Sequence, residues 1–200
     1  VAQHMGTCLE NIVTLHQIHS VEAIICNRTF ETSPKADALV TNTPGLLLSV
    51  LTADCQPVIF ADEKNSVIGI AHAGWRGALN GVLTSTINKM EALGAERSQI
   101  SAVIGPCISQ TAYEVGLDFF EKFNSANKKN KNYFTYCSDT KKYNFNLPNF
   151  SLNLLKDEGI SSIEWTGHCT YSDPENFFSY RRSCHKNEPD YGRLISAIML

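Results

Sequence analysis

The chain has no apolar run near the roughly 20 residues that span a bilayer, and its opening stretch "VAQHMGTCLEN" lacks the charged-then-apolar order of a secretory signal. Neither a membrane association nor export is expected. Charge of one sign is also missing. Seventeen basic against 20 acidic residues leave a formal net charge of -3, so the basic surface that holds a nucleic-acid backbone is not expected. The seven cysteines are odd in number and include no Cys-x-x-Cys pair, which makes a poor disulfide framework. A reducing, cytoplasmic compartment is the expectation, and the sequons at Asn27 and Asn149 carry no meaning there. No internal repeat stands out. The one low-complexity stretch, Asn124 to Tyr133, reads as a solvated loop.

What the chain does have is apolar content: 43% over 200 residues suits one substantial core and is too little for two large domains, so residues 1–200 are expected to form a single domain. Short Val- and Ile-rich runs at 11–20 and 21–26 predict two strands or a strand and its continuation. From 38 to 55 a strand, a turn at Thr43, Pro44 and Gly45, and a longer apolar run follow; that run is continuous, as in strands buried on both faces. Residues 58–74 repeat the scheme around a charged turn, Asp62 to Asn65, short enough for antiparallel pairing. Leu79, Val82, Leu83, Ile87, Met90 and Leu93 then recur at helical spacing up to Gly94, predicting one helix of about four to five turns. Further on come a strand near 100–108, an amphipathic helix with Val115, Phe119, Phe120 and Phe123 inward, a helix ended by Gly159, a strand near 161–170, and a C-terminal strand or helix. Strands mixed with helices predict an α/β (α+β) domain.

Three stretches carry side chains suited to a transition metal: "HQIHS", "TADC" and "AHAG". His19, Cys55 and His72 would form a three-ligand site with one position open, the catalytic form of a zinc site. His16 competes with His19, because in an extended segment positions three apart face opposite sides. The pairs His168-Cys169 and Cys184-His185 chelate poorly for the same reason, so no second site is expected. After "AHAG" the pattern turns helical, and Arg76 in the first turn adds a fork suited to phosphate or carboxylate. Arg181 and Arg182 follow the aromatics of "FFSY", and one of them would meet an anionic group. Asp54 either orients a ligand or moves a proton, or caps its turn, and Cys107 either lines a pocket or, the favoured reading, fills space. Without a metal, Cys55 as nucleophile and His72 as base would make a hydrolase or deamidase dyad.

In order along the chain, "HQIHS", "ADALVTNTPGLLLSVLTADCQPVIFAD", "VIGIAHAGWRGALNGVL", "IGPCISQTAYEVG", "FFSYRR" and "GRLISAIML" resemble the YfiH family, whose members are called laccase-domain or polyphenol oxidoreductase proteins and are described as purine nucleoside phosphorylases with adenosine deaminase activity. "TADC" together with "AHAGWRG" is the specific part. The resemblance implies mixed β-sheet layers covered by helices. It implies His19, Cys55 and His72 as metal ligands, resolving the ambiguity with His16. It places Cys55, His72 and Arg76 in catalysis and Arg76 and Arg182 on substrate. The implied cofactor is zinc, with copper the alternative. The implied partners are a nucleoside and phosphate, bound by a monomer. The implied chemistry is phosphorolysis of adenosine, inosine and methylthioadenosine, plus hydrolytic deamination of adenosine. Copper-dependent phenol oxidation and a non-catalytic metal-binding module are the competing readings. Two departures are noted: family members usually begin with a further pocket-lining segment, part of which this chain is expected to lack, and the stretch from Ser183 to Arg193 is longer than the usual family turn.

Overall fold

A computed structural model describes residues 1–200. The chain runs β1 (Ile12–Val13), β2 (Ala23–Ile25), β3 (Ala38–Thr41), β4 (Leu47–Thr52), β5 (Gln56–Asp62), β6 (Val67–Ala73), α1 (Trp75–Asn80), α2 (Val82–Ala92), β7 (Ser101–Ile104) and β8 (Glu114–Val115). It continues with α3 (Leu117–Ala126), β9 (Phe134–Cys137), β10 (Lys142–Phe145), α4 (Leu147–Asp157), β11 (Ser162–Trp165), α5 (Tyr180–Lys186) and β12 (Leu194–Met199). No helix is long and apolar enough to cross a membrane.

A six-stranded mixed sheet, order β11-β7-β5-β6-β3-β2, forms the centre. Strand β6 pairs antiparallel with both β3 and β5 and is buried at all seven positions, because both faces of the sheet are covered. On one face Ala71, Ala73, Val58 and Phe60 pack with Val82, Ile87 and Met90 of α2 and Leu155 of α4. On the other, Leu39, Ile68 and Ile70 meet Val13, Leu48 and Val50 of a second sheet, order β1-β4-β12. The alternation along β3 and β6 thus sorts residues between two cores. A third core, rich in Phe, lies where α1, α3 and α4 meet the small β8-β10-β9 sheet; Phe123, Phe145 and Phe150 are its buried rings.

Three local readings need correction. The helix expected from Trp75 to Leu93 is two helices, because Gly81 at φ 106 breaks it, a left-handed conformation that costs glycine little. That break sends α1 to the phenylalanine core and α2 to the central sheet. The turn expected at Pro44 and Gly45 is present and carries the chain between layers, since β3 and β4 belong to different sheets. Val115 lies in β8, before α3 begins. The Asn- and Lys-rich stretch is a 3-10 helix over Lys128–Tyr133. Its buried Asn130 donates to the Phe123 carbonyl at 2.9 Å, and Tyr133 packs on Phe150.

Candidate metal centre

Cys55 sits in the bend between β4 and β5, one residue before β5 begins. The bend is held by Asp54, which takes φ 80 and whose carboxylate accepts from Thr170 Oγ1 and the Arg181 N-H, both at 2.7 Å. Asp54 is therefore a cap, though of α5 and not of its own turn. His72 lies near the end of β6, opposite Pro57 of the antiparallel β5, which brings it beside Cys55. His19 is in the loop between β1 and β2, not at a strand end, and holds φ 59, a conformation that costs a non-glycine residue about 1–3 kcal/mol.

Asp37, wholly buried at the start of β3, joins these pieces. Its carboxylate accepts from the backbone N-H groups of Ile18 (3.3 Å), His19 (3.1 Å) and Ser20 (2.5 Å) and from Ser20 Oγ (2.7 Å). It also meets His72 Nδ1 at 2.8 Å. An ionised carboxylate only accepts, so Nδ1 carries the hydrogen and Nε2 is left free. The His19 and His72 rings stand edge to face at 4.7 Å, and His19 Nε2 lies 3.9 Å from Cys55 Sγ. Donor atoms of the three side chains are all within 4.8 Å of one another. Behind them is Gly74, where a Cβ would stand 2.8 Å from Cys55 Sγ and 3.0 Å from His19 Cδ2.

A metal ion here would displace protons whose hold on Cys55 and His72 is set by their neighbours. Burial pushes the Cys55 thiol up, but His19 and His72 outweigh it and bring it down to about 7. Burial pushes the His72 imidazolium down, and the Asp37 carboxylate with Cys55 raises it to about 9. Burial likewise raises Asp37, and the His72 and Ser20 donors lower it to about 2. A thiolate and two imidazoles form a nitrogen-sulfur donor set of the kind zinc and copper take. With bonds of about 2.0–2.3 Å, tetrahedral ligands lie about 3.3–3.7 Å apart. The His19–Cys55 pair at 3.9 Å is near that spacing already. The residues fit a metal ion, and three ligands leave a position open.

The trio forms part of the walls of two cavities. One, of about 230 Å³, is lined by His19, Cys55, Trp75, Tyr113, Tyr180, Arg76 and Arg181 among others. The other, of about 330 Å³, is lined by His19, Cys55 and His72 with His16, Tyr191 and Arg193 among others. Arg76 is exposed, its guanidinium 4.6 Å from the Trp75 ring centroid. Arg182, expected on substrate, points elsewhere: it donates to the carbonyls of Thr170 (2.7 Å), Tyr171 (2.9 Å) and Phe177. Its neighbour Arg181 reaches the first cavity, 5.3 Å from the Tyr113 ring centroid, and donates to the Glu114 carbonyl at 2.7 Å. His16 is a bridge partner of Lys35 and lines only the second cavity. Cys107 is buried in the central core. His168, Cys169, Cys184 and His185 join no group of three donors. Asp37 escapes a reading by motif; its one sequence signal is an unpaired charge between Ala36 and Ala38, at the head of an apolar run.

A mixed-sheet fold that gathers a thiol and two imidazoles beside aromatic-lined space defines a pocket protein with a metal-competent centre. The chain belongs to the family described as multi-copper polyphenol oxidoreductase laccase, whose profile matches residues 1–200, and which includes the proteins named YfiH. A Rickettsia prowazekii protein named purine nucleoside phosphorylase is 35% identical over 191 residues, covering 96% of this chain and 79% of its own. The Escherichia coli protein named purine nucleoside phosphorylase YfiH is 35% identical over 188 residues, 94% and 73% of the two chains. The crystal structure of a Bacillus licheniformis hypothetical protein YfiH superposes with a TM-score of 0.89 at 32% identity, covering 100% of this chain and 78% of that one.

Proposed function

We propose that the chain is a metal-dependent purine nucleoside enzyme, splitting adenosine, inosine and methylthioadenosine with phosphate and deaminating adenosine. The observation that carries this reading is the convergence of His19, Cys55 and His72 within 4.8 Å, with His19 and Cys55 on the wall of a cavity faced by Trp75, Tyr113 and Tyr180. The names of the relatives supply the substrate class. Aromatic faces receive a purine ring, and the Arg76 guanidinium at the rim offers a fork to phosphate. A zinc ion held by the trio would supply a Lewis acid at its open position. In phosphorolysis a phosphate oxygen bonds to the anomeric carbon as the glycosidic bond breaks, and the base leaves with that electron pair and takes up a proton. Asp37 holds His72 in the tautomer that presents Nε2. Zinc ranks above copper because the chain gathers donors at one place only, whereas polyphenol oxidation usually needs more than one copper centre.

A second reading rests on a specific contact. Asp37, His72 and Cys55 also line up as orienter, base and nucleophile, the layout of a cysteine hydrolase. His19 separates the two readings. Elemental analysis and adenosine turnover to adenine, with and without phosphate, and to inosine should be followed in wild type and His19→Ala. About one zinc per chain, lost in the variant together with both products, is the expected result. Activity untouched by the loss of His19, or metal-free activity, moves the assignment to the dyad.

A further inference from the structure

Asp37 lies outside the donor set, yet it touches the segments that carry both imidazoles. Three consecutive N-H groups, those of Ile18, His19 and Ser20, converge on its two oxygens, and His19 in their midst holds φ 59. The same carboxylate accepts from His72 Nδ1, and the Asp37 backbone carbonyl accepts the His72 N-H at 2.7 Å. The loop that carries His19 joins strands of two and three residues in different sheets, and it is tied up to Gln17, whose side chain exchanges two 2.8 Å hydrogen bonds with the Leu51 backbone; across residues 18–20 the backbone N-H groups go to Asp37. We propose that Asp37 is a positioning residue that sets both histidine donors at once, curling the 18–20 backbone around one carboxylate so that the His19 ring stands edge to face with His72 at 4.7 Å. This rests on the metal reading above. Its consequence is that metal affinity depends on a residue that touches no metal.

The probe is Co²⁺ added to chelator-stripped full-length protein, read by thiolate charge-transfer and ligand-field absorption, with zinc competition giving relative affinity. Asp37→Asn keeps the shape but sets an amide N-H₂ against the backbone donors. Metal affinity should fall on the order of 10- to 100-fold, with an altered ligand-field spectrum. Ser20→Ala removes the 2.7 Å hydroxyl contact to Asp37 and a 3.2 Å one from the exposed Glu22 N-H, so it tests the same idea in a chain that keeps the buried carboxylate; a loss of about threefold to tenfold is expected. Asp62→Asn is the control. It is an equally buried carboxylate that accepts from Asn65 and Glu96 in a turn remote from the trio, and it should lower stability without moving affinity or spectrum. If Asp37→Asn and Ser20→Ala bind Co²⁺ like wild type, the positioning role is overturned while the metal site stands. If wild type takes up no Co²⁺, the metal reading and the positioning role fall together.

Discussion

A methyl group at residue 74 should weaken metal binding while leaving the fold almost untouched. Gly74 follows β6 and opens α1, so its Cα faces the space where the donors converge. A Cβ built there lies 2.8 Å from Cys55 Sγ and 3.0 Å from His19 Cδ2. Comfortable separations between such atoms are about 3.5–4.0 Å, so the sulfur and the ring must each recede by roughly 0.5 Å or more. Metal-ligand distances tolerate about 0.2 Å, so a displacement more than twice that size disrupts the donor set. The clashing atoms are the ends of two side chains beside a cavity, and the backbone has no need to move. Overpacking costs about 1–3 kcal/mol when a core cannot yield; here it falls on the site and corresponds to about a 5- to 140-fold loss of metal affinity. The metal-free form of Gly74→Ala should melt within about 4 °C of metal-free wild type. Chelator competition and thermal melts of both forms test this. Wild-type metal affinity in Gly74→Ala would refute the reasoning, because it would mean the donors do not converge against residue 74.

Two further outcomes follow from the geometry. Arg182→Ala strips donors from the carbonyls of Thr170, Tyr171 and Phe177, so Tm should fall by about 4–8 °C for a loss of about 2 kcal/mol, while KM values for nucleoside and phosphate hold in the folded fraction; a KM shift at unchanged Tm would make Arg182 a substrate ligand instead. Burial pushes the Asp62 carboxyl up, but the Asn65 side chain and the N-H groups of Glu96 and Asn65 outweigh it and hold it below the usual range. A carboxyl depressed in the folded state contributes stability in full above its unfolded value of about 4, and loses it as pH falls through the folded value. Asp62→Asn should therefore flatten the acid limb of a stability-against-pH curve; an acid limb as steep as wild type's would show that Asp62 does not contribute to it.

Much was legible in one dimension because it depends on local pattern. Continuous apolar runs marked β4 and β6 as largely buried strands, and the charged turn at Asp62 to Asn65 marked the antiparallel pairing of β5 with β6. The chemistry of His19, Cys55 and His72 was legible as residue types, since few side chains can hold a transition metal, and "TADC" with "AHAGWRG" tied them to a family. What the pattern does not carry is direction. The helical period runs unbroken through Gly81, yet a single left-handed residue splits it, because glycine's preference for either sign of φ leaves no trace in hydrophobic spacing. Arg181 and Arg182 are adjacent and chemically identical, and successive positions on a helix point about 100° apart. Only the start of α5, fixed by Ser179 and Asp54, decides which one reaches the cavity. Asp37 is 18 residues from His19 and 35 from His72. Its role exists only once β3 lies beside β6 and the 18–20 loop folds over the strand end. Sequence determined which side chains could do the chemistry; the pairing of distant strands decided which of them meet and which carboxylate holds them in place.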